Sequence, residues 1–273
     1  MTQLPAELGG LSGSCCFLPL WNFLPTLRLQ QLLEVHPVLR SSACSLDHIH
    51  VLRPENVSSL LDVLSVRLPL LIQSLENSLP LKLLVLDNFT NVLRSDDTAR
   101  TTTDSLIDRS RDISEISSQL HRLATEHGIA VIVVNEVSDV FDAYDPPQPS
   151  QPGQDDPTYK ATSTWFSTAS NVPGENVYEP ALGLTWANQV NVRVLFSKTG
   201  RRRAVSDIPM SKRARVTPEF GRPPLDSRSS DEPIRIRHMS VVFSCVSDPA
   251  SVDYVITDEG VFSEGAAYPA SWA

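Results

Sequence analysis

The chain has 273 residues, 41% of them apolar, and a formal net charge of -9. That composition supports a real hydrophobic core, in one large domain or two small ones. No uninterrupted apolar run approaches the ~18 residues that span a bilayer, and the first ten residues lack the basic-then-apolar order of a secretory signal, so no membrane partner is expected.

The four cysteines (15, 16, 44 and 245) show neither C-x-x-C spacing nor a disulfide framework. Cys15 and Cys16 adjoin within an apolar segment and read as reduced core thiols, which argues against a zinc site. The charge is uneven. Between Lys198 and Arg237 there are eleven Lys/Arg against five Asp/Glu, leaving the remainder strongly acidic. Such a balance excludes a general nucleic-acid coat but allows one local basic patch.

Residues 15–20 (CCFLPL) predict a short buried strand, with Pro19 at its end or edge because proline cannot donate to a ladder. A helix follows over 27–35, opened by Pro25 and Thr26, with Leu29, Leu32 and Leu33 on one face. A second short strand falls at 48–52. From 55 to 78, apolar residues from Val57 to Leu75 recur at helical spacing, and Pro69 predicts a kink or break near Leu68. Residues 81–87 read as a strand. The helix over 108–127 sets Ile113, Ile116, Leu120, Leu123 and Ala124 on one face, with Gly128 placed to end it. GIAVIVVN (128–135) is a fully apolar strand.

Strands alternating with helices form a parallel sheet covered on both faces. Beyond Asn135 the pattern changes. Asp145–Pro157 (DPPQPSQPGQDDP) is too rich in proline to pack. Segments 189–196, 238–244 and 252–257 alternate like half-buried strands. The expectation is one α/β core over 10–273 with a β-rich C-terminal part and disordered loops near 142–176 and 198–236.

The chemistry centres on Leu83–Asn88, an apolar strand ending in a carboxylate. Asp87 at the carboxyl end of a buried parallel strand is how a nucleoside-triphosphatase holds Mg²⁺ beside a triphosphate. The alternative is an aspartate that caps the following turn, a frequent use of this residue. Asn135 and Glu136 end the next apolar strand and either sense a phosphate or satisfy loop backbone. Arg94, Arg100 and Arg109 flank a threonine-rich loop and suit phosphate contacts, although the many nearby aspartates offset their field. Trp186 reads as core or as a stacking surface, core being the commoner use. The clusters at 201–203 and 212–215 suit nuclear import or a DNA backbone. No glycine begins G-x-x-x-x-G-K-[ST], and G-x-S-x-G, H-E-x-x-H and G-x-G-x-x-G are also absent.

Five segments in order carry a family resemblance: LPTLRLQQLLEVHP (24–37), LLVLDNFTNVLR (83–94), SQLHRLATEHGIAVIVVNEVSDVF (118–141), PALGLTWANQVNVRVLFSK (180–198) and RHMSVVFSCVSDPASVDYVITDEGV (237–261). Together they resemble the RecA-type recombinases, in the eukaryotic recombinase-paralogue branch of X-ray-repair cross-complementing DNA repair proteins. The resemblance implies a RecA-like P-loop NTPase core, using ATP and Mg²⁺, that acts in homologous recombination in the nucleus. The implied partners are single-stranded DNA and other recombinase paralogues. It makes Asp87 the Walker B aspartate and metal ligand and Asn135 a nucleotide contact. It also places Arg94, Arg100 and Arg109 at a first DNA-facing loop (95–109), with a second near 138–180.

Three departures accompany the resemblance. The Walker A strand and loop expected near the start are absent. Trp21 stands where an acid is usual, and Glu136 replaces glutamine. In the family the missing strand lies between the strand ending at Asn135 and the later β-rich part, so the expectation is an N-terminally truncated chain with two strand edges facing a gap, or a gap filled by another segment. Family activity is DNA-dependent ATP hydrolysis. The alternative is a non-catalytic scaffold subunit that binds another paralogue, and a further reading is an α/β metabolic enzyme.

Overall fold

The structure, a computed structural model, describes residues 2–95, 103–139, 178–180, 182–203, 233–258 and 260–263. The chain divides into two compact units. One comprises Met1–Pro25 with Ala43–Val190, the other Thr26–Ser42 with Asn191–Ala273. The division follows the sheets, because the β-rich C-terminal part closes an antiparallel sheet of its own.

The first unit is built on β1 (Ser14–Pro19), β2 (Ile49–Val51), β3 (Leu81–Asp87) and β4 (Ala130–Val134), all parallel, in the order β2-β1-β3-β4. Register aligns Cys16 with Leu84 and Leu18 with Leu86. All four are fully buried, since alternate residues of a strand share one face. Their cover includes two helices that pack on each other, one over Val57–Leu75 and one over Thr103–His127. The first contributes Leu60, Leu64 and Leu68 to the core, the second Ile113, Ile116, Leu120 and Leu123. The opposite-face residues Cys15, Phe17, Leu83 and Val85 are only half-buried, so the expected two-sided cover is complete on one face among the described residues.

Val57–Leu75 does not break at Leu68. It opens with a capping box in which Asn56 and Ser59 satisfy each other's backbone N–H groups. Over Val63–Arg67 it widens into a π-turn, closed by the Leu68 N–H on the Val63 carbonyl, and then continues to Leu75. Proline lacks an N–H and its ring crowds the carbonyl four residues earlier. One wider turn relieves that conflict and keeps Leu68 in the core. This is the one helix among the described residues long and apolar enough to cross a membrane, and six of its apolar residues instead belong to the core cluster. Gly128 (φ 61°) ends the long helix as expected.

Among the described residues β4 pairs only with β3, and the chain continues into a two-stranded antiparallel sheet of β5 (Val137–Asp139) and β6 (Tyr178–Pro180). The β4 residues are all aliphatic, yet Ile132 and Val134 are 50% and 42% exposed. The strand ending at Asn135 is thus an open apolar edge among the described residues.

The second unit is the antiparallel sheet β10-β9-β8-β7, made from β7 (Val192–Arg203), β8 (Ile234–Ser244), β9 (Ser251–Thr257) and β10 (Gly260–Ser263). A helix over Thr26–Val35 joins it, the Arg28 guanidinium donating to the carbonyls of Thr257 and Asp258. The expectation of disorder over 198–236 is corrected at both ends, because β7 runs on through Arg203 and β8 begins at Ile234. Arg202 and Arg203 pair with Arg235 and Ile234, and the buried Thr199 hydroxyl donates to the Ile236 carbonyl at 2.6 Å. Paired backbone holds these charged residues in strands despite their low β-propensity. Residues 204–232 lie outside the described residues, as do 140–177, which hold the expected loop near 142–176.

Directly across β8 and β9, the Asp253 carboxylate accepts from His238 Nδ1 at 2.7 Å and from Arg201 at 2.8 Å. Burial alone raises an aspartate, but these partners outweigh it and hold Asp253 below the ordinary carboxylate range. A depressed carboxylate adds stability above its unfolded value near 4. That increment is lost as pH falls through the lower folded value. Asp253→Asn is expected to cost about 1 kcal/mol at neutral pH and to flatten the acid limb of a melting-temperature profile. In the first unit, Leu84→Ala is expected to cost about 2–5 kcal/mol, read as a lower urea midpoint.

Candidate functional site

The carboxyl ends of β3 and β4 form the site. Register sets Asp87 opposite Pro19 on one side and Val134 on the other, and the Leu20 N–H donates to the Asp87 carbonyl. The polar residues that follow these strands therefore emerge together. Ligands of open parallel sheets bind at this end.

Asp87 does not cap the turn after its strand. Asn88 does, its Oδ1 accepting from the Thr90 N–H at 3.2 Å, next to the helix over Phe89–Ser95. No hydrogen bond or ion pair engages the Asp87 carboxylate among the described residues. Burial pushes its acid up from the usual range. This is a carboxylate that gains from a nearby cation.

Around it the polar groups are already engaged. Asn88 Nδ2 donates to Glu136 Oε1 at 2.8 Å, and the Glu136 N–H donates to the buried Thr90 hydroxyl at 3.4 Å. Asn135 is satisfied when its amide oxygen accepts from the Trp186 indole N–H at 2.9 Å and its nitrogen donates to the Val134 carbonyl at 3.2 Å. Its amide also stands 3.4 Å from the Thr90 hydroxyl. Trp186 is buried, 4.9 Å from the Phe89 ring centroid, so the core reading of this tryptophan holds and its N–H has a partner.

The structure thus brings Asp87 and Asn135 together at adjacent strand ends. Of the three arginines, Arg109 alone has a described side chain. Arg94 lies in the helix over Phe89–Ser95 with its side chain outside the described residues, and Arg100 lies outside them altogether. Arg109 is half-buried on the helix over Thr103–His127. Sequence reasoning missed Asn88 and Thr90. The D-N-F-T order at the strand-to-helix turn carries the signal, since Asn is a favoured helix cap.

ATP with Mg²⁺ fits these residues on one side only. Asp87 suits the metal. Against that, the Asn135 amide is satisfied internally, and Glu136 adds a second negative charge next to it, which disfavours a phosphate there.

The parallel sheet with Asp87 at the end of an internal strand defines a RecA-like α/β core. Residues 1–153 match the family described as Rad51, and the chain belongs to that family, which is ATP-dependent. It is 28% identical over 268 residues to the DNA repair protein XRCC3 homolog of Arabidopsis thaliana, covering 95% of this chain and 78% of that protein. The DNA repair protein RAD57 of Saccharomyces cerevisiae is 25% identical over 135 residues, half of this chain and 29% of its own length. The DNA repair and recombination protein RadA of Methanocorpusculum labreanum is 27% identical over 143 residues, half of this chain and 43% of its own.

Two substitutions test the site. Trp186→Phe keeps the ring packing but leaves the Asn135 amide short of a donor, and is expected to cost about 1–3 kcal/mol in chemical denaturation. Asp87→Asn is expected to raise the neutral-pH melting temperature slightly. The reason is that a carboxyl raised by the fold contributes stability while protonated, and loses it as pH rises through the folded value. A loss of about 1 kcal/mol instead would show a capping role.

Proposed function

We propose that this chain acts in DNA repair by homologous recombination as a recombinase paralogue on single-stranded DNA, in the nucleus. The observation that carries the reading is the Rad51 match spanning β1 to β4 and the Asp87–Asn135 strand ends. DNA repair in the names of the XRCC3 homolog and RAD57 supports the process. The internally satisfied Asn135 amide argues against a nucleotide contact at that residue. Asp87 is the proposed metal-side ligand, and Arg94, Arg100 and Arg109 are the proposed strand contacts.

A second reading, a non-catalytic scaffold for another recombinase paralogue, is favoured by the open β4 edge. An unpaired apolar strand offers its backbone to a strand of a partner.

Anisotropy titrations with labelled single-stranded DNA over a range of salt test the first reading. Replacing Arg94, Arg100 and Arg109 together with alanine is expected to weaken binding and reduce the salt slope by about 2, on the order of 0.7 per phosphate contact. An unchanged slope would remove these residues from the interface. Millimolar Mg-ATP is expected to leave the melting temperature unchanged, whereas a ligand that binds the folded state raises it. A clear rise would mean that a phosphate site is built by other means.

A further inference from the structure

Trp21 and Phe23 stand 66% and 75% exposed, just beyond the carboxyl end of β1. Two large rings two residues apart offer apolar faces to a partner. Phe23 is already engaged on one side. Arg53, which follows β2, lays its guanidinium over the ring with Cζ 4.4 Å from the centroid. A planar cation on an aromatic face holds itself by cation–π attraction and adds a second flat surface to the first.

Beside this pair lies a cavity of about 260 Å³ lined in part by Arg53, Glu55, Asn56, Ser59 and Arg67. Arg67 is anchored by Asp62 at 2.9 Å. Arg53 has no ion pair among the described residues, so its charge remains available. Two exposed rings, a stacked guanidinium and an adjoining polar hollow are the parts of a surface that accepts flat heterocycles and the phosphates that link them. Aromatic rings beside an arginine also occur in protein interfaces, but the adjoining polar hollow and the unpaired Arg53 charge favour a strand that carries phosphates.

We propose that Trp21, Phe23 and Arg53 form a base-stacking platform for single-stranded nucleic acid at the carboxyl ends of β1 and β2. The proposal rests on the reading of this chain as a protein that handles single-stranded DNA. It names residues other than Arg94, Arg100 and Arg109.

Labelled oligothymidylate and an abasic strand of the same length separate stacking from charge. The wild-type chain is expected to prefer oligothymidylate about tenfold, and Trp21→Ala, Phe23→Ala or Arg53→Ala to lose most of that preference. Phe23→Tyr keeps the ring and should restore it. Arg53→Lys keeps the charge, so the salt slope should persist while the preference falls. Melting curves confirm folding of each variant, which exposed positions favour. Alanine variants that bind both strands like the wild type would overturn the platform and leave the DNA reading intact. A wild-type chain that binds neither strand would overturn both. Variants that keep the preference but no longer capture a second recombinase paralogue would make this surface a protein interface, and the platform would be wrong.

Discussion

The structure of the first unit depends on the parallel ladder that β3 makes with its two neighbours. Parallel pairing fixes register along the whole strand, and a slip of one residue would turn Leu84 and Leu86 out of the core. The same register brings Pro19, Asp87 and Val134 to one level. From that level the chain leaves each strand in turn, delivering Leu20, Asn88 and Asn135 to neighbouring positions. The polar network is therefore a product of the hydrophobic pattern beneath it. Its hydrogen bonds add modest net stability, but their loss would strand buried groups such as the Thr90 hydroxyl.

The polar groups at this end look mainly inward. Asn135 faces Trp186, Asn88 faces Glu136, and Thr90 stands between the two strand ends. Asp87 alone keeps an unengaged carboxylate. A nucleotide site needs the reverse balance, with donors directed outward at phosphate oxygens and little acid among them.

Much of the architecture was legible because it follows from periodicity. Alternation and apolar runs located β1, β3 and β4, and the 3.6-residue pattern located the helix that Gly128 ends. Pro69 misled only in degree: its steric demand is local, but the gain from keeping Leu68 buried is not, and a π-turn reconciles the two. The strand beyond Lys198 was hidden by its charge, since arginines in a strand are supported by a partner far along the chain, as Arg201 is by Asp253. The site was legible at Asp87 and Asn135, whose strands end visibly. The bond from Trp186 to Asn135 was not, because no local pattern announces a contact across so long a separation.

The open side of β4 also bears on how the chain behaves in solution. Many edge strands are protected by a lysine, a proline or a bulge, and Ala130–Val134 contains neither residue and has no shift in its pairing with β3. Five aliphatic residues with one row of backbone groups unpaired among the described residues are a template for ordered aggregation. The opposing force is mutual repulsion from the net charge of -9, which salt weakens. Colloidal stability then depends on ionic strength and on whether that edge is occupied, so handling the chain in high salt to suppress charge effects works directly against keeping it dispersed.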